Sequence, residues 1–307
     1  MMRGFPLRVQ RPEDIIAYGS IFVMIAISFI FKRNNFLYVS KTGFVMLFFT
    51  ILVIALSLSF SLRGVGILLR HKKSYSDIFK TWRSTWLRDW LPLMIALLVF
   101  ESTVDLVPLA NPRLYDSALA EIDGLLFGGQ ISQEMQAYTH PIITEFLMRI
   151  YTLHLFIPTI LLALFYVKGN LDEFRNLLLS LLIVIYLGLA GYFLVPAVGP
   201  YVVLEYQTPL YEDELSFSAR VIEAYNKQHD VPREAFPSLH AAVPTVVLLY
   251  SIRYSKNAFW ILLPITLLIY LATIYLRFHY LVDVIAGVAL ALLSVKAGER
   301  IRCRWDK

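Results

Sequence analysis

Four stretches of 17 to 20 residues without a single charged side chain, Ile15–Phe31, Gly43–Leu62, Leu177–Val195 and Ala258–Leu276, constrain this chain more than any other feature. Each approaches the ~20 residues that cover a bilayer's hydrocarbon at helical rise. Backbone polar groups in lipid must be satisfied within the segment, so runs of this kind form helices. The alternating pattern of a membrane β-barrel is absent. Only 17% of the 307 residues are charged, against about 25% in a soluble domain.

Three further apolar runs carry polar intrusions: Trp90–Pro108 with Glu101 and Asp105, Phe146–Val167 with Arg149 and His154, and Leu281–Val295 with Asp283. An eighth, from Leu239 to about Ile252, is short and opens on a Pro-Ser-Leu-His sequence. The expected fold is therefore an all-α integral membrane protein of about eight transmembrane helices. Ile15–Phe31 is read as its first span, because Lys32-Arg33 follows directly and no small-residue cleavage site does. The chain reads as a single membrane domain over 1–307, with a two-helix extension and basic loop to about 89 and a helical core from about 90 to 300. The lone cysteine, Cys303, excludes an intrachain disulfide.

Lysines and arginines set the expected orientation. With the N-terminus inside, the inner connections hold 19 and the outer ones 8, so both termini are expected on the cytoplasmic side. The net charge of +5 follows this topology rather than a nucleic-acid footprint. The same orientation places Phe236-Pro237-Ser238-Leu239-His240-Ala241 and His279-Tyr280-Leu281-Val282-Asp283 at one outer face. Histidine beside hydrocarbon is costly and marks a functional site by default. Two imidazoles and a carboxylate also supply what covalent phosphoryl transfer needs: a nucleophile, a proton donor and a group that fixes the tautomer.

Plainer readings stand beside these. Pro237 and Ser238 suit a helix start, whose free N–H groups bind phosphate oxygens or simply receive a cap. His279 and Asp283, spaced i, i+4, share a helix face as a catalytic or a structural pair. Arg277 offers charge to a phosphate or snorkels to the interface. Glu101 and Asp105 form another i, i+4 pair, fit for a polyol headgroup or for an ion pair with a residue such as Arg149. His154 faces the site or packs in the core.

Taken together, the two histidine motifs resemble the type 2 phosphatidic acid phosphatase superfamily, most closely its inositol phosphorylceramide synthase-like branch. Asp123-Gly124-Leu125-Leu126-Phe127-Gly128, His154 with Pro158, and Gly199-Pro200-Tyr201 fit the same branch, and the resemblance covers roughly residues 123 to 287. It implies a six-helix phosphatidic-acid-phosphatase-type core with extra N-terminal helices. It also implies His279 as the nucleophile that becomes a phosphohistidine, Asp283 holding its ring, His240 as acid and base, and Ser238 on the phosphate oxygens. Neither metal nor cofactor is expected.

The phosphatase form's Lys-x6-Arg-Pro motif is absent, and Ala272-Thr273 stand where that form has Ser-Arg. Both departures favour the synthase-like branch and leave Arg277, Arg149 and Arg233 as candidate phosphate cations. Asp123, His154, Tyr201, Glu101 and Asp105 are candidates for the rest of the substrate. The expected activity is phosphotransfer from a membrane lipid to a lipid alcohol at the extracytoplasmic face, with hydrolysis as the alternative. A bacterial inner membrane is the default location, and the oligomeric state stays open. A non-catalytic lipid transporter would instead spread its polar residues along mid-span positions.

Overall fold

A computed structural model describes residues 11–31, 47–53, 75–104, 106–211, 213–228 and 233–305, and every regular element among them is a helix. We number the longer ones α1 (Pro12–Ile30), α2 (Tyr75–Val104), α3 (Asp116–Phe127), α4 (Pro141–Thr152), α5 (Ile157–Val167), α6 (Leu171–Leu194), α7 (Phe217–Gln228), α8 (Leu239–Tyr254), α9 (Lys256–Tyr275) and α10 (Leu281–Trp305).

Among the described residues α1, α6, α9 and α10 are each long and apolar enough to cross a membrane. The expected span Phe146–Val167 is broken: α4 and α5 meet at a bend of 46° around Phe156, and together they make a fifth candidate. The element expected over Trp90–Pro108 begins fifteen residues early, at Tyr75. Its added stretch was expected to be loop; the helix continues there because Arg88 and Asp89 find buried partners. Most of Gly43–Leu62 lies outside the described residues, of which 47–53 are helical.

The centre of the bundle is α6, whose buried residues fall on every side of the helix. A helix apolar all round belongs in a core, and α1, α2, α5, α8 and α10 all pack against it. The shortness of α8 has the same cause. At 16 residues it is wedged among α6, α9 and α10 rather than facing lipid alone.

The two ends of the bundle differ. At the end where α1 begins and α10 finishes, Asp89 pairs with Arg11 and accepts a hydrogen bond from the Tyr166 hydroxyl (3.3 Å). Arg88 pairs with Asp14 (2.9 Å) and Arg302 with Glu13 (3.4 Å). At the other end α3 packs against the start of α10, and α7 packs against α4. α3 finishes on Gly128 in the left-handed region (φ 80°), the conformation that lets a helix stop with its last carbonyls satisfied.

Candidate active site

The geometry begins at a corner. Ser238 caps α8, its hydroxyl accepting the N–H of Ala241 (3.3 Å). Its own N–H donates to the carbonyl of Asp283 (3.0 Å), which ties the start of α8 to the start of α10. The fit requires glycine: a Cβ at Gly287 would run into the Ser238 carbonyl, and one at Gly191 into the Pro237 ring. Seated between α6 and α10, this corner turns His240 toward His279.

The two histidine motifs, 39 residues apart in sequence, meet. His240 Nδ1 lies 2.9 Å from His279 Nε2, with ring centroids 5.1 Å apart. His279 Nδ1 is 2.9 Å from the Ala235 carbonyl, and His240 Nε2 is 2.8 Å from the Tyr151 hydroxyl. These contacts order the protons. A carbonyl only accepts, so His279 carries its proton on Nδ1 and keeps a lone pair on Nε2. His240 then donates from Nδ1 to that lone pair and accepts from Tyr151 at Nε2. His279 is 2% exposed, and burial pushes it down to about 4 from the usual 6.5. It is a neutral imidazole at pH 7, with Nε2 directed into the site.

The loop that carries His279 is held by three buried carboxylates. Asp283 Oδ2 accepts the Tyr280 N–H (2.9 Å) and lies 3.5 Å from His279 Nδ1, while Oδ1 has no hydrogen-bond partner. The direct partner of the ring is thus the Ala235 carbonyl, with Asp283 behind it. Asp123 spends both oxygens on the N–H groups of Leu281 (2.8 Å) and Val282 (2.9 Å), at the start of α10. Asp116 accepts from the N–H groups of Val198 (3.1 Å) and Gly199 (2.9 Å) and from the Tyr280 hydroxyl (3.3 Å). Desolvation raises the carboxyls of both Asp116 and Asp123 above the ordinary carboxylate range. From the other side, Tyr201 N–H donates to the Arg277 carbonyl (2.7 Å), and Gly199, at φ 87°, lies flush against the Phe278 carbonyl.

Of the candidate cations, Arg277 is the one next to His279 in the chain, two residues before it. It has a positive φ of 66° and is buried. Its guanidinium sits 3.9 Å over the Tyr206 ring and donates to the Thr208 carbonyl (2.7 Å), while Nε has no hydrogen-bond partner. Arg149 is instead mostly exposed and pairs with Glu145 (2.8 Å) on its own helix, so it is not the partner of Glu101. Arg233 donates to the Asn111 carbonyl (3.1 Å). His154 stands edge-on to His240, ring centroids 4.3 Å apart. Glu101 is half-buried on α2, and Asp105 lies outside the described residues.

Sequence reasoning missed Tyr151, Ala235 and Asp116. Tyr151 stands three residues before His154 on one helical face, a spacing that marks it as a neighbour of the site. For Asp116 no comparable signal exists, since its partners lie 82 and more residues away.

These features define a multi-pass helical membrane protein built around a histidine pair, one ring buried and the other half-buried, at one end of its bundle. Residues 117–297, which take in both histidines and all but the first residue of α3, match the PAP2 superfamily model, and the chain belongs to that superfamily. A phosphoinositol dihydroceramide synthase from Bacteroides thetaiotaomicron is 27% identical to it over 152 residues, 45% of this chain and 50% of that protein. The chain thus spans about half the length of this curated relative. No solved structure matches.

Proposed function

We propose that this enzyme transfers a headgroup phosphoryl group from a membrane lipid to a lipid alcohol through a phosphohistidine on His279. The observation that carries the reading is the ordered contact between His240 Nδ1 and His279 Nε2, which sets a proton-bearing nitrogen beside the lone pair; a docking phosphoryl group takes the place of that hydrogen bond as the rings part to admit it. In the first half-reaction Nε2 of His279 attacks phosphorus. A P–N bond forms, the P–O bond to the departing lipid alcohol breaks, and His240, protonated as the anionic substrate docks, gives its Nδ1 proton to the leaving oxygen. In the second half the acceptor hydroxyl surrenders its proton to His240, its oxygen attacks phosphorus and the P–N bond breaks. Arg277, two residues from the nucleophile with an N–H unspent, is the cation assigned to the phosphate oxygens, and Ser238 at the head of α8 assists. Asp283 steadies the imidazole from behind the Ala235 carbonyl. Arg149 pairs with Glu145 and takes no part; Arg233, whose buried Nε is also without a hydrogen-bond partner, is the second cation in reach of this role.

Transfer is favoured over hydrolysis because the nucleophile is sealed from solvent, and a site that excludes water hands phosphorus to an alcohol. The name of the Bacteroides relative supports a phosphoinositol headgroup and a sphingoid acceptor. The distribution of basic residues supports about eight spans with both termini cytoplasmic and the histidines on the outer face. Purified enzyme incubated with phosphatidylinositol and other lipid phosphates, with and without dihydroceramide, should give a headgroup-bearing sphingolipid by mass. His279→Ala should abolish it, about 10⁴-fold or more, in a protein that still inserts. Product formation by that variant would refute the nucleophile assignment.

A further inference from the structure

Directly beside the histidine pair, two apolar stripes face each other across a membrane-side groove of about 470 Å³. On α9 the stripe is Leu267, Leu271 and Ile274; on α10 it is Leu281, Ile285 and Val288. Both follow i, i+4, i+7, one helical face each. The groove exists because α9 and α10 each pack along α8 but meet one another at few points. Its back is closed by Tyr270, whose hydroxyl is hydrogen-bonded to Thr245 on α8. Leu267, Leu271 and Ile285 are exposed, so the groove opens sideways toward lipid. Each stripe rises seven residues, ~10 Å.

We propose that this groove holds one hydrocarbon chain of the lipid alcohol attached to phosphorus, and the inference rests on the phosphotransfer reading above. The outer end of the groove adjoins the chemistry: Ile274 and Val284 form one buried cluster with Ala241, the neighbour of His240, and Val284 follows Asp283. In an in-line displacement the leaving oxygen departs on the far side of phosphorus from His279 Nε2, and His240 reaches it once the rings have parted to admit the phosphoryl group. The acceptor oxygen must occupy that same place in the second half. Both alcohols therefore present their chains in the same direction, one after the other, and one groove serves both. Its volume falls in the range of a single bound small molecule, ~300–1,000 Å³, which suits one chain rather than two. Hydrocarbon gains little on passing from bilayer to groove. The groove therefore aligns the alcohol rather than attracting it, and its loss lowers kcat more than it raises KM.

Leu271→Trp and Ile285→Trp fill the groove from opposite walls. With full-length donor and acceptor lipids each should lower kcat at least about tenfold, while dihexanoyl phosphatidylinositol paired with an acceptor alcohol of equally short chain, both too short to use the groove, should react at the wild-type rate. Equal losses on both substrates, or no loss on either, would overturn the proposal. Photolabelling decides the matter without turnover: phosphatidylinositol with a diazirine midway along an acyl chain, in vesicles with the His279→Ala protein, should mark the two stripes above the level given by phosphatidylcholine with the same chain. Equal labelling by the two lipids would also overturn it. A wild-type enzyme that converts none of the lipid phosphates would sink the phosphotransfer reading, and the labelling comparison would still judge the groove.

Discussion

Burial of His279 keeps its ring uncharged where an exposed imidazole would be partly protonated at pH 7. Its lowered value sets the sign of the pH dependence. Acid inactivates by protonating Nε2, so the fall in kcat/KM on the acid side should set in toward pH 4 rather than through 6.5. Rates measured at pH 5.5 should stay within about twofold of those at pH 7; a tenfold drop would mean that the ring titrates as if solvated. Stability follows the same linkage. Between 6.5 and about 4 the unfolded chain binds a proton that the folded one refuses, so the folded state weakens as pH falls through that window. That the two histidine motifs share a face was legible from the sequence, and in the structure they meet. Their hydrogen-bond order was not, because it depends on a carbonyl, Ala235, that any residue type would have supplied.

Among the elements, helix ends decide more than helix middles. The Pro-Ser start of α8 and the i, i+4 pair at the start of α10 were readable because capping chemistry and helical spacing are local. The roles of Asp123 and Asp116 were not, since each acts on backbone or hydroxyl groups brought near by the fold. Asp123, a candidate for the substrate in the sequence, has both its oxygens on the first turn of α10. Asp123→Ala leaves two buried N–H groups unpartnered, a cost of about 1–3 kcal/mol each, and frees the loop before α10 to move. Turnover should fall about 10- to 100-fold with little change in membrane insertion, read by steady-state kinetics beside a protease-protection assay; unchanged kcat would show that the loop holds itself. The early start of α2 was hidden for a related reason: its polar first half reads as loop until Arg88 and Asp89 meet α1.

At the level of the whole molecule the bundle separates stability from chemistry. Its buried ion pairs gather where α1, α2 and the end of α10 meet, far along α10 from the histidines. Asp89 is fully buried between arginines and a tyrosine. Asp89→Ala would strand those cations, at a cost of about 3–5 kcal/mol. The thermal midpoint in detergent should fall by several degrees, while kcat at 25 °C in the protein that remains folded should not change. A parallel loss of kcat would show that the two ends are coupled.

The grip of Asp123 on α10 spans 158 residues of sequence. The loop that carries His279 is thus moored by a helix far away in the chain. Insertions within α3, a stretch that looks dispensable, will shift that mooring and be felt at the histidines rather than in the core of the bundle.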